Sequence, residues 1–166
     1  MFRFLKHRCA QAKRVLIGFF PQWAKADDDF ARSILSSAEF GLYLSMDIRD
    51  RDHACRVVRD LLEHPPKPST ELLRAALLHD VGKSDGKYRV WARILVHLYC
   101  PKNLPIYPKL KGLRGLWQQH VYHAEYGAAM IKGVGGSSRV AQIVQNHHHL
   151  SEDAEAMLLK AIDECY

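Results

Sequence analysis

The sequence has only four cysteines, no long apolar run and no run of five or six like charges, and each scarcity removes a class of protein. Cys9, Cys55, Cys100 and Cys165 stand far apart with no C-x-x-C spacing. A disulfide framework is therefore not expected, and a reducing, cytoplasmic setting is the simpler reading. The uncharged stretch over residues 15–22 is too short to cross a bilayer as a helix. A secretory leader is not expected either: Ala24-Lys25-Ala26 offers a small-x-small pattern, but Pro21 and Trp23 interrupt an already short apolar region. The 24 Lys+Arg outnumber 18 Asp+Glu to give +6, yet they are scattered, and no helix-turn-helix, zinc-finger or single-strand-binding aromatic signature accompanies them. The excess favours anionic ligands through long-range steering without pointing to specific nucleic-acid binding. Sustained strand alternation, repeats and low-complexity tracts are also lacking.

What is there is a chain of 166 residues, 48% apolar and 25% charged, enough to bury one core without disulfides or a structural metal. Residues 3–20 read as a basic amphipathic helix in an N-terminal extension, 1–26, that either packs on the domain or touches a membrane surface or partner. The acidic run Asp27 to Asp29 suits the positive end of a helix reaching residue 46. Val57, Val58, Leu61 and Leu62 recur at helical spacing over 50–64, and Pro65-Pro66-Lys67-Pro68 ends that helix. Ser69 or Thr70 then caps a helix apolar nearly all round, Leu72 to Leu78, expected to be buried and central. Further helices are expected at 88–99, 116–132, 137–149 and 151–165, with a Pro-, Lys- and Gly-containing loop from 100 to 115. The sum is an all-α, compact single-domain helical bundle of about six to eight helices, with 27–166 as the domain proper.

The central helix ends in His79-Asp80, then Val81-Gly82-Lys83. An ionised carboxylate at the end of a buried apolar helix is costly unless paired or bound to a cation. Neighbouring helical residues point about 100° apart, so both side chains reach one ion only near a helix end, where these two stand. His53 lies one turn before Val57 and shares its apolar face. Asp163 follows Leu159 and Ile162 on the buried side of the last helix. Each alone has a plain structural explanation, a core histidine bonded to backbone or a helix-end aspartate; together they suggest a metal site.

This set resembles the HD superfamily of metal-dependent phosphohydrolases, whose pattern is His, then His-Asp, then a distant Asp. The likeness runs from Arg51-Asp52-His53-Ala54-Cys55-Arg56-Val57 through Leu77-Leu78-His79-Asp80-Val81-Gly82-Lys83 to Leu158-Leu159-Lys160-Ala161-Ile162-Asp163. It implies the HD-type helical fold, with His53, His79, Asp80 and Asp163 holding a divalent ion. His123-Ala124-Glu125-Tyr126-Gly127 and Ile143-Val144-Gln145-Asn146-His147-His148 look like elements of the two-metal members. That likeness implies Asp80 bridging two ions, with His123, His147 and His148 serving the second. His120 and His149 leave the register open by a turn and by one residue, and the spacing 163 − 148 = 15 favours His147-His148.

Two departures narrow the resemblance. The cyclic di-GMP branch carries Gly-Tyr-Pro soon after the paired histidines, where this chain has His149-Leu150-Ser151-Glu152-Asp153. Arg49 stands where some members have a glutamate four residues before the first histidine, against a third metal. The ligand types suit Fe, Mn, Co or Zn, with Mg a further candidate. The implied activity is hydrolysis of a phosphomonoester or phosphodiester in a small phosphorylated metabolite, a nucleotide first among them, by a metal-activated water, with Asp80 and Lys83 catalytic. Lys83 is placed to neutralise phosphate charge. Lys102, Lys109, Lys111 and Arg114 form either a lid over an anionic substrate or an ordinary solvated loop. Two other readings stand beside this one: a mixed-valence di-iron oxygenase resembling myo-inositol oxygenase, and a non-catalytic nucleotide-sensing module. Oligomeric state is not legible.

Overall fold

The computed structural model describes residues 23–84, 101, 103–149 and 151–166. The expected helices at 3–20 and 88–99, with Lys102, lie outside the described residues. Those described form seven α-helices and one short 3-10 turn, with no strand among them, a single compact domain. None of these helices is long and apolar enough to cross a membrane.

The first surprise is local. The segment read as one helix over 27–46 is two, α1 (Asp28–Ile34) and α2 (Ser37–Leu44), because Leu35 turns extended and Ser36 starts a new helix. Ser36 and Glu39 form a capping box: the Ser36 N–H donates to Glu39 Oε2 at 3.1 Å and the Glu39 N–H to Ser36 Oγ at 3.4 Å. Glu39 is fully buried, and the Arg74 guanidinium grips both of its oxygens, at 2.9 and 2.6 Å. Such a charge is tolerable inside only because it is paired and hydrogen-bonded.

Asp47 begins α3 (Ile48–Glu63), which buries His53, Ala54, Val57, Val58 and Leu61, and His64 turns extended before the prolines. Ser69 caps α4 (Thr70–Leu78), its Oγ accepting from the Leu72 N–H at 3.0 Å. Leu72, Ala75, Ala76, Leu77 and Leu78 are all buried, and α4 packs against helices on every side, as its apolar sequence requires. The 3-10 turn Val81–Lys83 follows, then α5 (Gly112–Gly133), α6 (Ser138–Asn146) and α7 (Ala154–Asp163).

Three of these helices share one direction. Arg139 at the start of α6 donates to Asp153, the N-cap of α7, at 2.5 and 2.9 Å, and to Glu155 at 2.5 Å. Glu155 also accepts from the hydroxyl of Ser69, the N-cap of α4. The beginnings of α4, α6 and α7 are thus tied together, and their far ends carry His79, His147 and Asp163.

Candidate metal centre

His79 and His147 are the residues that close α4 and α6. The last carbonyls of a helix have no N–H from the next turn. Each histidine fills this gap itself: His79 Nδ1 lies 2.8 Å from the Ala76 carbonyl and His147 Nδ1 lies 2.6 Å from the Val144 carbonyl. A carbonyl can only accept, so both Nδ1 atoms carry protons, and in the neutral ring Nε2 holds a lone pair. The same device recurs inside α5, where non-helical backbone at Tyr122 breaks the ladder and His123 Nδ1 meets the His120 carbonyl at 2.8 Å.

The Nε2 atoms of His79 and His147 are buried without a hydrogen-bond partner. Around them the other residues converge. Asp80 Oδ1 lies 3.7 Å from His79 Nε2, 3.6 Å from His123 Nε2 and 2.6 Å from Lys83 Nζ. Asp163 Oδ1 lies 2.7 Å from His53 Nε2 and 3.5 Å from His79 Nε2. His148 Nε2 approaches His123 Nε2 at 2.7 Å. Two groups of donor atoms result, His53, His79 and Asp80 in one and His123, His147 and His148 in the other, each spanning no more than 4.8 Å. Asp80 stands between them, its oxygen near a ring from each.

All seven residues singled out from the sequence meet here. His53, His79, Asp80, His123 and His147 are buried, Asp163 nearly so, and His148 forms the solvent edge. Of the two register alternatives, His149 points out, 63% exposed and 3.5 Å from Glu125, and His120 offers its carbonyl to His123. Lys109, Lys111 and Arg114 are exposed, outside the buried cluster. Their loop is pinned to α5 by Gln118, whose Nε2 donates to the carbonyls of Pro105 and Pro108 at 2.6 and 2.9 Å while Oε1 accepts from the Leu110 N–H at 2.8 Å. Tyr122 and Tyr126 add hydroxyl bonds to the Leu104 and Ile106 carbonyls, each at 2.6 Å.

The electrostatics suit a cation. Burial works against ionisation of Asp80, but Lys83 and His79 outweigh it and hold the carboxyl well below its usual range. Asp163 is likewise driven down by His79 and His53 against its own burial. Burial keeps His53, His123 and His148 neutral-leaning, and takes His147 down to about 3 with help from His79 and His148. His79 alone goes the other way: burial lowers it, but Asp80 and Asp163 carry it up to about 9. A proton on Nε2 there is the small cation that two carboxylates attract; a metal ion meets the same demand with a larger charge. The C-terminal ends of three helices add partial negative charge at the same point.

Sequence reasoning missed the supporting contacts. Tyr166 sets its ring edge-on to His53, centroids 5.5 Å apart, while its hydroxyl donates to Asp60 at 2.6 Å. Gln119 Nε2 donates to the Gly82 carbonyl at 3.0 Å. Only the second had a signal, since Gln119 lies one helical turn before His123.

A family model, the HD domain, matches residues 34–166. The match covers most of the chain, and the protein belongs to the HD domain family, whose members are mostly metal-dependent hydrolases. No curated protein and no solved structure matches the chain.

Proposed function

We propose that the protein is a metal-dependent phosphohydrolase that cleaves a phosphoester in a nucleotide or related small phosphorylated metabolite. The observation that carries this reading is the pair of buried, partnerless Nε2 atoms on His79 and His147 beside the ionised Asp80. In both rings Nδ1–H is taken by a backbone carbonyl, so Nε2 is the atom turned to the cluster, free of a proton on His147 and, on His79, holding one that an ion beside Asp80 and Asp163 would displace. His53, His79, Asp80 and Asp163 would hold one divalent ion, and His123, His147 and His148 a second, with Asp80 shared. Such ions lower the pKa of water and polarise phosphoryl oxygens.

The chain's own residues do the rest. Lys83, with its Nζ against Asp80 and 26% of its side chain exposed, offers a donor at the mouth of the cluster to the charge that develops on phosphate oxygens. Burial of the histidines excludes bulk water from all but the His148 side. The exposed Lys109, Lys111 and Arg114 would add positive charge that steers an anionic substrate toward the protein.

The test is a panel of nucleotides and sugar phosphates offered to metal-loaded protein. Release of phosphate or nucleoside, abolished by His79→Ala with Asp80→Ala, is the expected result. Turnover surviving that double change would sink the proposal. Two irons with a mixed-valence paramagnetic signal and dioxygen uptake, without phosphate release, would instead favour the oxygenase reading.

A further inference from the structure

Helix α5 carries two consecutive glutamines, Gln118 and Gln119, of which only 2% and 8% is exposed. Buried glutamine is uncommon and must be hydrogen-bonded. Consecutive helical residues diverge by about 100°, so the two serve different neighbours. Gln118 grips the 105–110 loop, as described above. Gln119, His123 and Gly127 all meet the turn that bears Asp80 and Lys83, the first through its side chain and the other two through their backbone.

That turn meets the helix at very close range. A Cβ at Gly82 would lie 2.0 Å from the His123 carbonyl oxygen and 2.8 Å from the Gly127 nitrogen, and one at Gly127 would lie 3.3 Å from the Gly82 nitrogen. The approach fixes how near the turn can come, but two bare backbones in contact do not fix how its peptide planes rotate. A directional bond does so. The Gly82 carbonyl that accepts from Gln119 Nε2 at 3.0 Å belongs to the same planar peptide unit as the Lys83 nitrogen. The orientation of that plane sets the direction in which the Lys83 side chain leaves the backbone. Its ammonium ends 2.6 Å from Asp80 Oδ1.

We propose that Gln119 is a positioning residue acting through Lys83, holding the Gly82–Lys83 peptide so that the ammonium is aimed at a phosphoryl group bound beside Asp80. The inference rests on the phosphohydrolase reading above, and adds to it a residue that touches neither metal nor substrate.

The experiment is a double-mutant cycle on the full, metal-loaded chain. Gln119→Leu removes the donor at similar volume, and Gln119→Glu keeps the shape while facing an acceptor with an acceptor. Each is combined with Lys83→Ala. Binding of inorganic phosphate by calorimetry, kcat and KM on whichever nucleotide is turned over, bound metal, and backbone hydrogen exchange over 81–84 are measured. Both Gln119 variants are expected to lose about 10–100-fold in phosphate affinity or kcat, the usual range for an outer-shell partner. Bound metal should stay unchanged, exchange over 81–84 should rise, and no further loss should appear once Lys83 is alanine. A merely structural role predicts losses that add to those of Lys83→Ala. Additive losses, loss of metal in step with activity, or unchanged exchange over 81–84 would overturn the inference. If Lys83→Ala itself leaves phosphate binding and turnover unaltered, the role given to Lys83 falls and the inference with it. If Lys83→Ala matters and neither Gln119 variant does, the inference falls alone.

Discussion

At the scale of single residues, one device accounts for much of the centre: a histidine at a helix end donates Nδ1–H to the carbonyl three residues back and turns Nε2 inward. His79 and His147 do so at true helix ends and His123 at the Tyr122 break. The titration of these rings gives a testable pH profile for metal-stripped protein. His147, held down to about 3, stays neutral when the unfolded chain's histidines protonate, so stability falls as pH drops below about 6.5. His79, carried up to about 9, contributes stability that is full below 6.5 and is lost as pH rises through 9. Thermal melts of the stripped protein should therefore peak near pH 6.5, and a flat profile from pH 5 to 9 would contradict these assignments. Lys83→Ala is expected to cost about 100-fold in kcat, as loss of a charge-stabilising donor does. Steady-state kinetics beside metal analysis checks it, since metal content should not change.

At the scale of elements, the centre exists because α4, α6 and α7 start together at the Ser69, Glu155, Arg139 and Asp153 network and finish together at the cluster. The turn after α4 reaches its place only because Gly82 lies against the α5 backbone. Gly82→Ala forces that contact apart and is expected to cost about 1–3 kcal/mol in denaturant unfolding, the range for overpacking, with bound metal lost as well. Arg74→Ala leaves the buried Glu39 carboxylate without its charged partner, and a stability loss of about 3–5 kcal/mol is expected from the same measurement. A loss under about 1 kcal/mol would contradict this reading of the pair.

The elements themselves were largely legible. Period-3.6 apolar patterns placed α3, α4, α6 and α7 to within a few residues, because their buried faces are nearly pure. The break at Leu35 was missed, since a capping box in the middle of an apolar stretch looks like two ordinary helical residues until Glu39 is seen facing Ser36. In the site, His53, His79, Asp80 and Asp163 could be nominated from burial and spacing, whereas His123, His147 and His148 needed the family resemblance. His123 and His147 are set by a carbonyl three residues back, which every helical histidine has. Only the helix ends, which sequence places least well, make it available.

At the scale of the whole molecule, most of the hydrophobic core is one continuous body, with the polar cluster set at one end of its central helix. An ion binding the folded state alone stabilises it by mass action, about 2.7 kcal/mol at a hundredfold excess over Kd. Chelation should accordingly lower the melting temperature, and adding metal back should restore it. The central claim is that seven His and Asp side chains, all but His148 buried or half-buried, hold two divalent ions. The direct measurement is the metal content of protein purified without added metal, wild type against Asp80→Ala. Two equivalents of a transition metal per chain in the wild type, falling to one or none when the shared carboxylate is removed, is the expected result. Wild-type protein that carries no metal and takes up none on dialysis against manganese, iron, cobalt or zinc would contradict it.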